Sequence, residues 1–303
     1  MTFPQIQVVR PLAIAPAMLV ATNLGEDALP EWSAGTPYAL GVRVMVTAQH
    51  KVYESLVSPN TGNAPWSSPA HWVEVSPTNR WKAFDQSNST QTRAQNFLTY
   101  SLKTGQAVDS VAALNLVGAT AMRVRVQDPV LGLIYDKTVS LAGQLKEATW
   151  WDFFFGERTD PKQCIYTDVP SAPAATITVE LAGTEDLAVG VIMLGQLRSF
   201  SLGVKLGARV GITDYSRKER NEFGDTILVE RPYSRRANFA LVLAAMEVDS
   251  FVAYMAEVRA QPCLWIGSKR YEAMTLYGIY KNFDVLIEYH DYSTCELELE
   301  GLT

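Results

Sequence analysis

Apolar and polar residues alternate in short runs along most of the chain. Val42, Val44 and Val46 alternate around Arg43 and Met45, and Val52-Tyr53-Glu54-Ser55-Leu56-Val57 follows. Met122, Val124 and Val126 alternate with Arg123 and Arg125, and Ile177, Val179 and Leu181 with Thr178 and Glu180. A period of two puts successive side chains on opposite faces, so each run predicts a half-buried strand. Ser58-Pro59-Asn60-Thr61-Gly62-Asn63 is dense in turn residues. Four more strands are predicted towards the end, over Cys263 to Ile266, Met274 to Tyr280, Val285 to Tyr289 and Cys295 to Leu299. One helix stands out: Val248, Phe251, Val252, Met255 and Val258 recur at helical spacing, and Pro262 stops it. Trp150-Trp151-Asp152-Phe153-Phe154-Phe155 is a bulky apolar run too short for a typical helix. Pro4, Pro11, Pro16 and Pro30 disfavour a helix in the first thirty residues.

These elements predict a mainly β, multidomain chain. Residues 1–30 read as an extended N-terminal arm, or as an edge strand that docks on another domain. Residues 31–76 form a small aromatic β module, and 77–200 a β-sandwich or jelly roll. Residues 201–303 form an α+β domain with one main helix and antiparallel strands.

Composition removes several classes. Hydrophobic residues make up 48% and charged residues 19% of the 303, which argues against a disordered chain. The net charge of -6 leaves no footprint for nucleic acid, which would need clustered Lys and Arg. The basic clusters are short: Arg217-Lys218-Glu219-Arg220, and Arg231 to Arg236. Each reads as a solvated face or a subunit interface, with Arg217, Arg231, Arg235 and Arg236 as the candidate interface residues. Cys164, Cys263 and Cys295 lack metal-ligand spacing, and their odd number excludes complete internal pairing. They read as reduced, buried thiols, with Cys295 facing a core between Leu297 and its neighbours. No run approaches the ~20 apolar residues of a membrane span, so no membrane insertion is expected. Met1 to Gln5 lack a basic start and Pro16 interrupts Leu12 to Ala21, so no secretion signal is expected.

Candidate chemistry is sparse. His50, His71 and His290 lie in predicted turns or loops, outside any catalytic motif. Gly203, Gly207 and Gly211 are spaced by four, without the strand-to-helix switch and Lys-Ser or Lys-Thr of a phosphate loop. Paired carboxylates cannot be recognised in sequence, and Asp85, Asp152 and Glu157 would be arbitrary choices. No catalytic residue, metal or cofactor is assigned. One signal remains: Trp32, Tyr38, Tyr53, Trp66 and Trp72 fall within 41 positions. Such rings either stack on the apolar faces of sugars or supply the core of a module too small to fold otherwise.

The module resembles the small carbohydrate-binding module of chitinases, through Trp32, Tyr38, Gly41, Val44, Tyr53, Pro65 and Trp72. It departs where the family carries exposed tryptophans after the Tyr53 strand: Leu56-Val57-Ser58-Pro59 stands there, and the next aromatic is Trp66. The resemblance implies a host surface glycan as partner, held by Trp32, Tyr53, Trp66 and Trp72.

The rest is similar to tail and baseplate proteins of long-tailed bacteriophages. Pro77-Thr78-Asn79-Arg80-Trp81-Lys82-Ala83-Phe84-Asp85 opens a galactose-binding-like jelly roll in such proteins, and Val189-Gly190-Val191-Ile192-Met193-Leu194-Gly195 would close it. Asp214-Tyr215-Ser216-Arg217-Lys218-Glu219, then Glu222-Phe223-Gly224 and Val229-Glu230-Arg231-Pro232-Tyr233-Ser234, open the last domain. The resemblance implies a virion protein of the tail tip, assembled in the host cytoplasm. It would form trimers or hexamers and meet other tail proteins, joining tube to tip or fibres. A glycan-binding adhesin and a cell-wall hydrolase are the alternatives.

Overall fold

The computed structural model describes residues 5–142, 149–155, 160–200, 202–220 and 225–302. In chain order the strands are β1 (Ile6–Pro11), β2 (Leu19–Thr22), β3 (Arg43–Val46), β4 (Lys51–Ser55), β5 (Trp72–Pro77), β6 (Thr92–Ala94), β7 (Phe97–Leu102), β8 (Ser110–Leu114), β9 (Val117–Asp128), β10 (Gly132–Ser140), β11 (Gln163–Tyr166), β12 (Thr176–Val189), β13 (Val191–Phe200), β14 (Gly203–Val204), β15 (Arg209–Asp214), β16 (Arg217–Arg220), β17 (Thr226–Val229), β18 (Tyr233–Ala244), β19 (Cys263–Ile266), β20 (Thr275–Leu286) and β21 (Tyr292–Gly301). The helices are α1 (Trp150–Phe155) and α2 (Val248–Glu257). The chain is mainly β and divides into two compact units, residues 1–12 with 194–303, and residues 13–193.

In the first unit β1 lies between β13 and β19, pairing antiparallel with both. The order continues through β20, β21 and β18, and β14 and β15 both pair with β18. Leu297, Leu299 and Cys295 of β21 and Phe239, Leu241 and Leu243 of β18 point to one face. There they meet Phe251, Tyr254, Met255 and Val258 of the helical segment. Trp265 of β19 is fully buried, and its ring N–H donates to the Gly278 carbonyl at 3.0 Å. Glu296, Glu298 and Glu300 take the alternate positions of β21 and stay outside the core, as the period of two requires.

Several expectations need correction here. Within the predicted arm, β2 lies at the end of its sheet as an edge strand, but residues 6–11 form neither an arm nor an edge. β1 has neighbours on both sides, and Ile6, Val8 and Val9 are buried, so its apolar run is read by two faces. Pro11 ends β1, and Pro16 starts a single 3₁₀ turn before β2, so the prolines mark boundaries. On α2 the buried residues are Phe251, Tyr254 and Met255, with Val258 buried just after it, while Val252, at the edge of that stripe, is 41% exposed. Val285 does not open a strand of its own: β20 runs without a break from Thr275 to Leu286. Trp150 to Phe155 is one short helix.

The second unit holds a sheet in the order β10-β9-β12-β7-β2, with β6 on the end of β12. Its centre is the pair β9 and β12, where Met122, Val124 and Val126 face Leu181, Val179 and Ile177 in register. All six are buried. A separate antiparallel sheet, β3-β4-β5, forms the aromatic module.

The backbone of β21 leaves no room for a side chain at Gly278 of β20. A Cβ there would collide with the Glu300 carbonyl and the Gly301 Cα, whereas one on Gly35 would meet only open space. Gly278→Ala should therefore lower stability by about 1–3 kcal/mol through overpacking. Gly35→Ala should stay within about 0.5 kcal/mol of the parent. Urea unfolding of both variants reads the difference.

Candidate functional site

The aromatic module divides its rings between core and surface. Trp72 and Tyr53 are buried with Tyr38, Val44 and Val46. The Trp72 ring N–H donates to the Asn63 carbonyl at 2.9 Å, and Tyr38 meets that ring edge-on at 5.3 Å. The Tyr53 hydroxyl donates to Gln49 Oε1 at 2.8 Å, and burial pushes its pKa up. Neither ring offers a free face to a sugar. Trp32 packs half-buried against this core, and Trp66 stands edge-on to it at 5.2 Å with 52% of its surface exposed. Of the four predicted sugar-stacking residues, the structure brings Trp32 and Trp66 together at the surface and places Tyr53 and Trp72 inside.

The turn that follows Tyr53 is built on Asn60. Its backbone exchanges hydrogen bonds with Tyr38, and its side-chain amide donates to Ser55 Oγ at 3.0 Å and to the His71 carbonyl at 3.1 Å. The Asn63 amide donates back to Asn60 Oδ1 at 2.8 Å. This network holds the Trp66 loop against the strands.

Glu26 fastens the module within its unit. Its carboxylate accepts from Arg80 Nη1 at 3.1 Å and from the Thr78 hydroxyl, and lies 3.1 Å from His50 Nδ1. Arg80 also donates to the Leu24 carbonyl, at 3.0 Å from Nε and 2.7 Å from Nη2. The His50 ring sits 4.6 Å from that of Trp81. His50 is therefore a part-buried joint residue, in contrast to the exposed turn histidine its sequence context predicts. A carboxylate taken largely out of water is tolerable when its lone pairs are filled in this way.

The arginine-bearing segment forms a ribbon. β15 pairs with the first half of β18, from Arg209↔Asn238 to Asp214↔Tyr233, and β16 pairs with β17 beyond it, from Arg217↔Val229 to Arg220↔Thr226. Every residue of β16 and β17 is exposed. Ile227, Leu228 and Val229 show 49%, 69% and 46% of their surfaces. Hydrogen bonds pin the joint between the two ladders. The Arg231 amide donates to Ser216 Oγ at 3.1 Å, and the Tyr215 hydroxyl lies 3.1 Å from Ser234 Oγ and donates to Glu300 Oε1 at 3.2 Å. The Ser216 hydroxyl and then its amide hydrogen-bond Asp214, Lys218 pairs with it, and together they hold its pKa down at about 2.

Arg217 lies on β16, paired in its own strand with Glu219 at 2.5 Å. Arg235 and Arg236 are exposed on β18 at the base of the ribbon, opposite Ile212 and Gly211. Arg231 lines an open groove of about 510 Å³ with Tyr215, Pro232, Ser234, Ile279, Glu300, Gly301 and Leu302. The sequence reading missed Ile227 to Val229. Their signal is three consecutive apolar residues without alternation, inside a charged segment. Glu222-Phe223-Gly224, which carry part of the phage resemblance, lie outside the described residues.

The remaining candidates are three thiols and the scattered carboxylates. Cys164, Cys263 and Cys295 are buried free thiols, and burial pushes their pKa values up to about 11, about 12 and about 12, which leaves them unreactive at neutral pH. Asp85 accepts from the Ser87 amide and the Thr90 hydroxyl within its own turn, and burial raises its pKa. The Asp152 side chain and Glu157 lie outside the described residues. Among the described residues no group of three or more His, Cys, Asp or Glu is placed to hold a metal, and no helix is long and apolar enough to cross a membrane. No protein-family model matches the sequence, and no curated protein or solved structure matches it significantly.

The division of the rings is directly measurable. Trp72→Ala should cost about 3–5 kcal/mol in urea unfolding, as expected for emptying a buried aromatic site. Trp66→Ala should cost no more than about 1.5 kcal/mol, the scale of one edge-to-face pair.

Proposed function

We propose that the chain is a structural component of a phage tail tip or baseplate, and that it works by associating with itself and with other tail proteins. The observation that carries this reading is the ribbon from Arg209 to Asn238, whose outer half has neither face covered. A two-stranded ribbon is at best marginal alone in water. Exposed strands carrying consecutive apolar side chains invite pairing with another chain. A protein that assembles covers such a ribbon in the finished particle. Two of the segments that resemble phage tail proteins, Asp214 to Glu219 and Val229 to Ser234, fall on this ribbon. A closed ring of identical chains, trimeric or hexameric, is the assembly that fits a tail axis.

Native mass spectrometry tests this reading. The expected result is a discrete trimer or hexamer, shifted towards monomer by Arg217→Glu combined with Arg231→Glu. A single monomer mass at every concentration contradicts it.

A second reading, a glycan-binding adhesin, is favoured by one observation: the exposed Trp66 ring beside Trp32. Retention on chitin or host cell-wall sugars that is lost in Trp66→Ala would support it. Absence of retention in the parent chain removes it.

A further inference from the structure

The first unit is made of two stretches of chain that are far apart in sequence. Residues 1–12 supply β1, and residues 194–303 supply the rest. β1 fills the slot between β13 and β19, and Ile6 and Val8 lie in one core with Phe239, Leu241 and Leu299. Without β1 that core is open, and two strands lose a neighbour. The stretches are joined side by side: Pro11 pairs with Gly195, and the Leu12 amide donates to the Leu194 carbonyl at 2.7 Å. The chain thus leaves the first unit and returns to it at adjacent backbone positions, with the whole second unit, residues 13–193, in between.

The second unit is a continuous stretch and holds its own ends in one sheet. β2 pairs with β7, and β7 pairs with β12, which ends at Val189. While it is folded, only short links, residues 13–18 and 190–193, separate that sheet from Leu12 and Leu194. When it is unfolded, the same two residues are joined by a free loop of about 180 residues. The probability of closing a free loop falls as about the −3/2 power of its length. Replacing a link as short as a hairpin turn by such a loop therefore costs on the order of a thousandfold in the folding equilibrium of the first unit. That is a large share of the equilibrium constant of a marginally stable domain. The reverse does not hold. Unfolding the first unit leaves the second with two free tails and no loop to close.

We infer that the fold contains a one-way gate: the first unit keeps its full stability only in a chain whose second unit is folded, whereas the second unit keeps its own whether or not the first is ordered. β16 and β17 belong to the first unit. On the tail-assembly reading above, on which this consequence rests, only chains with a folded second unit present the ribbon on an ordered base, and chains with an unfolded one are kept out of the particle.

Peptide-resolved amide exchange on the full chain tests the gate. Val179→Asp puts an unpaired carboxylate into the buried centre of the β9 and β12 pair. Exchange is read at the lowest urea concentration that leaves β9 and β12 of this variant unprotected. There the protection of β18 and β21 should fall about a thousandfold below the parent's, although no residue of the first unit has changed. A second variant adds Gln7→Cys and Ser199→Cys, which stand opposite each other on β1 and β13. Oxidation then ties the two stretches together whatever the second unit does. It should restore the protection of β18 and β21, and reduction should remove it again. The converse substitution, Leu241→Asp in the core of the first unit, should strip β18 and β21 while β9 and β12 keep the parent's protection. Parent-level protection of β18 and β21 in Val179→Asp overturns the gate, and so does a loss that the disulfide leaves unrepaired. Loss of β9 and β12 protection in Leu241→Asp shows coupling in both directions and overturns it as well. All variants are read at one low protein concentration, so the outcome does not turn on whether the chain assembles.

Discussion

The first unit depends on β1 finding its slot between β13 and β19. Gln7, Val8 and Val9 pair on both sides, with Ser199, Arg198 and Leu197 on one and Ile266, Trp265 and Leu264 on the other. The partners of β1 therefore lie far along the chain, at the end of the second unit and beyond it. Pairing across so long a separation costs loop-closure entropy and slows folding. The slot is also sterically exact at one point: a side chain on Gly195 would strike the Arg10 carbonyl. Deep burial of Ile6 and Val8 against Phe239, Leu299 and their neighbours offsets those costs.

Burial also decides what each aromatic residue can do. Tyr53 and Trp72 hold the small module together, and their polar atoms are spent on Gln49 and the Asn63 carbonyl. Trp66 is left with an open face because its loop is fixed by Asn60 from below. Glu26 then ties the turn at His50 to Arg80, so the module is held within its unit through a shared carboxylate as well as through the chain.

Where one face met a core and the other met water, the pattern was legible. The strands at Met122 to Val126, Ile177 to Leu181 and Cys295 to Leu299 alternate in the sequence and in the fold, and Pro262 lies just beyond the helical segment. β1 was not legible, because a strand buried on both faces does not alternate and its prolines suggested an arm. The two predicted strands within β20 are one because its outer half is only partly covered, so its pattern is weak there. Sugar-binding and core aromatics have the same side chains, so no spacing could tell Trp66 from Trp72. The ribbon was seen only as charge clusters. Its Ile227, Leu228 and Val229 face no core of their own chain, and they do not alternate with polar residues.

The account therefore turns on β16 and β17 becoming covered by association. Amide hydrogen exchange measured across a range of protein concentrations tests this most directly. Protection over residues 217–220 and 226–229 should rise with concentration, while that of the β9 and β12 core stays constant. Equal, fast exchange of the ribbon amides at every concentration would contradict the account.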